Sequence, residues 1–520
     1  MKRLPALLLA LAALLSLSGC WDSDSAPVSE EDFWALEQDA AAPEEDAPAE
    51  TAFTLPYLSS QTLDPISCSD GVQQAVGALL YEGLFSLDEA FTPQPMLCEA
   101  YTVSPNGLTY TFTLREGVTF SDGSAFSPSD VLTAYRRAQS SERFGARFSN
   151  ITSMRVNRGV FTVTLRRADS LFPALLDIPI VKAGSEKDPV PLGTGPYLFI
   201  TDSDGPCLIR NDSWWTGLTP PLDRIPLAPA KNADTAAYLF SAGSAHLLTA
   251  DLLAETPASG LTDADMTDAP TGTLLFLGFN YASAPLSDPK LRGAMGLAID
   301  RESVVATLLA GHAAAAQFPV SPASPLYPTA LETPYENGAY AAALAAIAPA
   351  APTAEGEDPA PAEQTALTLL VNAENSFKVS LAEHLARQLT EAHVTVTARV
   401  LPWAEYTAAL ESGDFDLWLG EVRLTADWDA TSLIGTRGAM NYGKCGDAAI
   451  DAAIKNFLAA GTEAAASSLC AQLAEKVPLL PIAFKNSTVL TSRGMLENLS
   501  PTAAQPFFKM DGWKIHLVES

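Results

Sequence analysis

The chain runs to 520 residues, which exceeds one hydrophobic core and points to at least two core-bearing lobes once its first fifty positions are set aside. Its 61 acidic residues against 31 basic ones give a formal charge of −30, which opposes any phosphate backbone and excludes nucleic acid as a partner. The acidity itself requires nothing beyond solubility at a surface.

In chain order, Lys2 and Arg3 precede an apolar run from Leu4 to Leu17 that stops at Ser18-Gly19-Cys20. This pattern predicts an export signal over 1–19, too short to span a bilayer, and no later stretch approaches the roughly 20 apolar residues that a spanning helix needs. Leu17-Ser18-Gly19-Cys20 resembles the bacterial lipobox. The resemblance implies cleavage before Cys20 and a diacylglycerol anchor on its thiol; the plainer alternative is an ordinary signal peptide ending in cysteine. The chain is then expected outside the cytoplasm, lipid-anchored to the outer face of the cell membrane. Residues 21–50 hold eleven acidic residues and no lysine or arginine, a composition that buries too little apolar surface to order itself. Residues 20–52 therefore read as a self-repelling tether, with Phe33, Trp34 and Leu36 as its apolar interruption.

From Ala52 onward, short alternating segments mix with amphipathic ones. Leu108–Leu114 and Phe161–Leu165 alternate with period two and predict half-buried strands. Ser129–Ala138 and Ser380–Leu389 have helical spacing, the first with start signals from Ser127 to Asp130. Asn106-Gly107 and Asp122-Gly123 suit tight turns. Ala339–Glu363 passes from alanines into Pro, Glu and Asp, as a helix followed by a surface excursion would. Ala366–Asn372 and Val394–Val400 then return to strand character, as a lobe with βα units requires.

Beyond Cys20, five cysteines remain: Cys68, Cys98, Cys207, Cys445 and Cys470. An odd set is no disulfide framework, although Cys68 with Cys98 is a candidate bridge. No CxxC pair occurs, and the histidines lack ligand spacing, so neither a resident metal nor another cofactor is expected. Gly193-Thr194-Gly195-Pro196 lacks the Gly-Lys-Ser/Thr of a phosphate loop and reads as a structural turn.

Ordered blocks carry a resemblance. Leu63-Asp64-Pro65, Tyr81-Glu82-Gly83-Leu84, Ser104 through Phe112, Leu114 through Val118, Phe120 through Ser124 and Ser129-Asp130-Val131 follow one another. Gly193 through Tyr197, Asn211 through Trp215, Phe279-Asn280 and Arg292 through Arg301 come later. Together they resemble the family 5 solute-binding proteins of peptide-type ABC importers. The resemblance implies an α/β fold of two lobes, of the class II periplasmic-binding-protein type, that closes over a solute. The first lobe is expected over 53–310 plus 485–520, with an inserted subdomain at about 81–187, and the second over 311–484. The partners implied are a peptide or other small solute and the permease subunits of an ABC transporter.

A peptide buried in a cleft needs partners for its amides and a carboxylate for its amino terminus, since each unpaired buried polar group costs about 1–3 kcal/mol. The resemblance places that carboxylate at Asp427. The family's Asp-Tyr-x-x-Pro continuation is replaced here by Asp427-Trp428-Asp429-Ala430, and Leu424 stands where tryptophan is frequent, so Asp429 competes with Asp427. Either aspartate also suits a helix start or loop cap. Arg423 has two readings, a fork for a ligand carboxylate or a neutraliser of Glu421, Asp427 or Asp429. Thr425 lies in the same segment. By resemblance, Ser69 and Gly71 present backbone to the ligand as a strand partner, Phe144 is an aromatic of the inserted subdomain, and Asn280 faces the cleft. Phe484 lines the cleft or packs in the core. Trp214 and Trp215 read as packing residues.

The leading function is therefore an extracytoplasmic receptor that captures peptides for an importer. The same fold binding a nickel chelate, haem, an oligosaccharide or an opine is the alternative, and a peptide-sensing receptor is another. A tethered hydrolase is disfavoured, since neither a G-x-S-x-G elbow nor a Cys-His pairing is present.

Overall fold

The computed structural model describes residues 52–254, 263–347 and 364–517. The expected signal, Cys20 and nearly all of the tether lie outside the described residues, as does the excursion after the helix Ala339–Ile347. Among the described residues no helix is long and apolar enough to cross a membrane.

Threonine alternation builds the inserted subdomain. Cys98–Val103, Thr109–Leu114, Val160–Leu165 and Ile151–Asn157 form an antiparallel sheet in that order. Tyr110, Phe112, Phe161 and Val163 point from one face into a core with Val131, Ala134 and Tyr135 of the helix Pro128–Ser140. That helix starts where Ser127 predicts: the Ser127 amide and hydroxyl both donate to Asp130 Oδ2, at 2.9 and 2.6 Å.

The base of the first lobe is a second sheet, ordered Leu55–Leu58, Arg224–Ala230, Gly205–Arg210, Tyr197–Asp202. Its core also takes Phe507 and Trp513 from the end of the chain. The Gly193–Pro196 turn lies flat on this base. A Cβ at Gly193 would stand 2.1 Å from Leu80 O, so glycine is required by close backbone approach and not by phosphate. Glu82 is buried beneath it, accepting hydrogen bonds from both indoles, Trp214 (3.0 Å) and Trp215 (2.7 Å), and from Thr194 Oγ1 (2.8 Å). Burial pushes its carboxyl up to about 7 against the lowering effect of those donors. The two tryptophans are thus packing residues with a polar task.

In the second lobe, Thr365–Asn372 pairs in parallel with both Val394–Leu401 and Leu417–Arg423. The helix Ser376–Leu389, capped by the Asn375 side chain, covers them. Two long strands join the lobes, Ala264–Phe279 and Leu479–Ser492, antiparallel to each other. Their ladder slips between Pro270 and Leu274, opposite Asn486 and Phe484. Beyond the slip, Leu274–Phe279 pairs with Leu417–Arg423, and Leu291, Met295 and Val304 share one core with Leu367, Leu369 and Leu381. Leu274–Phe279 thus lies in the sheet of Leu417–Arg423, and Leu291, Met295 and Val304 bury their side chains beside the strand Thr365–Asn372. The Cys68–Cys98 bridge is corrected: both thiols are free and buried, turned toward the carbonyls of Asp70 and Ala100.

Candidate functional site between the lobes

The strand Leu417–Arg423 ends at the slip of the joining strands. Leu424 N donates to Gly272 O at 2.8 Å, and a Cβ on Gly272 would stand 2.3 Å from the Leu424 carbonyl oxygen, so only glycine admits this crossing. The chain then turns through Thr425–Ala430. Trp428 takes φ +56°, an uncommon conformation for a bulky residue, with its indole fully buried edge-on to Phe91 (5.0 Å between centroids) and Phe484 (5.9 Å). Aromatic packing anchors the turn and fixes the directions of Asp427 and Asp429 on either side of it.

Asp429 is fully engaged. Its Oδ1 accepts from Thr431 N (2.9 Å) and Thr431 Oγ1 at the start of the helix Thr431–Ile434, and its Oδ2 pairs with Arg167 of the inserted subdomain. Asp427 is more buried and less occupied: Oδ1 accepts from Thr425 Oγ1 and Asp429 N, while Oδ2 has no hydrogen bond among the described residues. Opposite lies Asp169, buried, with a side-chain oxygen accepting from Leu171 N at 3.0 Å. Burial, followed by the neighbouring charges of Asp427 and Asp429, pushes Asp169 up to about 8, with Arg167 opposing. Burial and then Asp429 also raise Asp427. Ser170 closes this face, its amide donating to Leu458 O at 2.7 Å and its hydroxyl to Ala459 O at 2.5 Å.

Arg423 settles neither into an ion pair nor into a hydrogen bond among the described residues. Glu421, one of its expected acceptors, is taken by Lys378 (3.1 Å) and Lys485 (3.7 Å), and Asp429 by Arg167. The side chain is wetted, yet enclosed enough that desolvation lowers its pKa, with Arg147 adding to the effect and Asp177 opposing it. Arg147 pairs with Asp177 at 2.7 Å and keeps a buried Nε without a partner among the described residues. Arg143 donates to the Pro65 and Cys68 carbonyls and to Gln74 Oε1, and stacks 4.8 Å over Phe144. Arg143, Arg147 and Arg423 thus gather with Asp177 on one part of the face, and Asp169, Asp427 and Asp429 with Arg167 on another.

Of the residues expected from sequence, Arg423, Leu424, Thr425, Asp427 and Asp429 come together. Leu424 does so as a buried core residue, and Phe484 as the wall behind Trp428. Phe144 borders Arg143. Gly71 is the first residue of the helix Gly71–Ala78, capped by Asp70, and Ser69 is exposed in the loop before it. Asn280 spends its amide on the Gly413 and Phe415 carbonyls (3.0 and 2.8 Å), at the end of the ladder remote from Arg423. Arg143, Arg147, Arg167, Asp169 and Asp177 escaped sequence reasoning. The charged run Arg166-Arg167-Ala168-Asp169, directly after a strand, was the available signal. Among the described residues no group of His, Cys, Asp and Glu is placed to hold a metal ion.

Residues 92–442 match the family model described as bacterial extracellular solute-binding proteins, family 5, middle. The glutathione-binding protein GsiB of Salmonella typhi is 31% identical over 282 residues, covering 50% of this chain and 54% of that one. The chain thus matches about half the length of its curated relatives. The oligopeptide-binding protein AppA of Bacillus subtilis, solved with a nonapeptide, superposes with a TM-score of 0.59 at 20% identity, covering 90% of this chain and 100% of that one. NikZ of Campylobacter jejuni, solved with Ni(L-His), gives 0.61 at 19%, with the same coverage of both chains. At these identities the likeness is one of fold, the two-lobed arrangement of periplasmic binding proteins.

Proposed function

Because this chain belongs to the bacterial extracellular solute-binding proteins of family 5, a family of transport binding proteins, we propose that it captures short peptides with free termini between its lobes and delivers them to an ABC permease. One observation carries the reading: Arg423, whose guanidinium has no partner among the described residues, ends the strand that leads into the turn where Asp427 keeps one oxygen open, and both face charged groups of the inserted subdomain. A free peptide is a zwitterion, so its ammonium suits the acidic end and its carboxylate the arginine end. Four residues of chain span at most about 14 Å, which limits the backbone separation of the two anchors and favours di- and tripeptides. The names of the relatives, for glutathione and for a nonapeptide complex, support a peptide-like ligand. The anionic solute reading, a metal chelate for example, draws on the same gathering of Arg143, Arg147 and Arg423. The sequence Leu17–Cys20 supports membrane attachment through lipid on Cys20, outside the cytoplasm.

Ligand-dependent stabilisation tests the proposal. Di- and tripeptide pools supplied at about 100 times their dissociation constant are expected to add about 2.7 kcal/mol of stability, read as a raised melting temperature. Pools that are N-acetylated and C-amidated are expected to add almost nothing. Equal shifts for free and blocked pools, or a shift with a nickel–histidine chelate alone, would contradict it.

A further inference from the structure

A cavity lies away from the interlobe face, in the second lobe. It opens between the helices Pro289–Leu297 and Glu463–Lys476, the segment 317–335 and the first residues of the joining strand Leu479–Ser492. The space it encloses is about 120 Å³, smaller than the roughly 300–1,000 Å³ of clefts for drug-sized ligands and suited to a small one. Leu297, Phe318, Pro334, Tyr335, Val477 and Leu480 make an apolar wall, and Tyr335 at 47% exposure is among the most exposed large apolar side chains of the second lobe.

One charge faces this wall. Arg301 donates through Nε to Pro481 O at 2.8 Å, and its Nη1 has only the distant carbonyls of Gly296 (3.4 Å) and Ile299 (3.5 Å). Nη2 has no hydrogen bond, and no carboxylate pairs with the guanidinium among the described residues. Glu332, a carboxylate that acts on it through space, accepts from Tyr327 Oη at 2.5 Å instead. Surrounding protein lowers the pKa of Arg301 to about 10, as expected for a cation held in an apolar setting without a counter-ion. Arg301 is partly exposed, and a guanidinium with one edge spare matches a carboxylate in two parallel hydrogen bonds.

We propose that this cavity is a second ligand site, for a small amphipathic anion whose carboxylate meets Arg301 and whose hydrocarbon body lies on the apolar wall. The site is independent of the interlobe face, with which it shares none of the charged residues described above.

Calorimetric titration of the full chain with sodium octanoate, beside 1-octanol as the uncharged probe, tests this. Octanoate is expected to bind at least tenfold more tightly than 1-octanol, and Arg301→Met to erase that preference. Ala474→Trp narrows the mouth from an exposed position on the helix Glu463–Lys476. It is expected to weaken octanoate at least tenfold and to leave peptide capture unchanged. Should Arg301→Met fail to fold, Ala474→Trp and the octanol comparison still decide. No octanoate binding, equal binding of octanoate and octanol, or octanoate binding that survives Ala474→Trp overturns the proposal.

Discussion

Arg423→Gln is expected to weaken capture of a short peptide with a free carboxyl terminus by about 10- to 150-fold and to leave binding of the matching C-terminal amide unchanged. The magnitude follows from one hydrogen bond to a charged group, about 1.5–3 kcal/mol, at about 1.4 kcal/mol per decade of affinity. The variant is a clean probe because the Arg423 side chain makes no hydrogen bond or ion pair among the described residues, so its replacement orphans no buried acceptor there. Asp427→Asn is the companion at the other terminus. Asparagine keeps an oxygen for Thr425 Oγ1 and Asp429 N but loses the charge. A loss of similar size is expected for peptides with a free α-amino group and none for their N-acetylated forms. Isothermal titration of the four peptides against the wild-type and variant proteins separates the two contacts. If Asp427→Asn weakens free and acetylated peptides equally, the ammonium anchor moves elsewhere, with Asp429 next in line.

Asp169→Asn is expected to flatten the dependence of folding stability on pH. An aspartate in the unfolded chain titrates near 3.9, whereas Asp169 in the folded protein titrates at about 8. Between these values the folded state keeps a proton that the unfolded state has released, so stability is full below about pH 4 and declines as pH rises toward 8. The loss is on the order of a few kcal/mol, and Asp427, Asp429 and Arg167 are the charged groups that face Asp169. Glu82, raised to about 7 by burial in the first lobe, contributes in the same direction. Urea midpoints at pH 4.5 and pH 8 measure the effect. The wild type is expected to be the less stable at pH 8, Asp169→Asn to show a reduced difference, and the residual slope to shrink further with Glu82→Gln. A wild type equally stable at both values would remove the account of this carboxylate cluster.

The period-two threonine strands and the capped helix at Ser127 were legible because each buries one face locally, and burial is what the pattern encodes. The sheet partner of the strand around Leu274 was not legible. The run Leu274-Leu275-Phe276-Leu277 is apolar on both faces and reads the same in either lobe, and only its pairing with Leu417–Arg423 assigns it. At the site, Arg423 through Asp429 stood out as a compact charged turn. Their counterparts Arg167 and Asp169 lie some 260 positions earlier, and nothing local indicates which distant charge will face them. Asn280 and Gly71 lie apart from this turn in the hydrogen bonds they make. Local partners, the carbonyls at Gly413 and Phe415 and the Asp70 cap, consume the groups that a ligand would use.

The central claim, capture of short peptides between the lobes, is tested most directly by native mass spectrometry of the full chain purified without refolding. The account predicts bound species of two or three residues, with masses that differ by amino-acid residue increments and leave when the protein is unfolded. One discrete mass matching no peptide would contradict it.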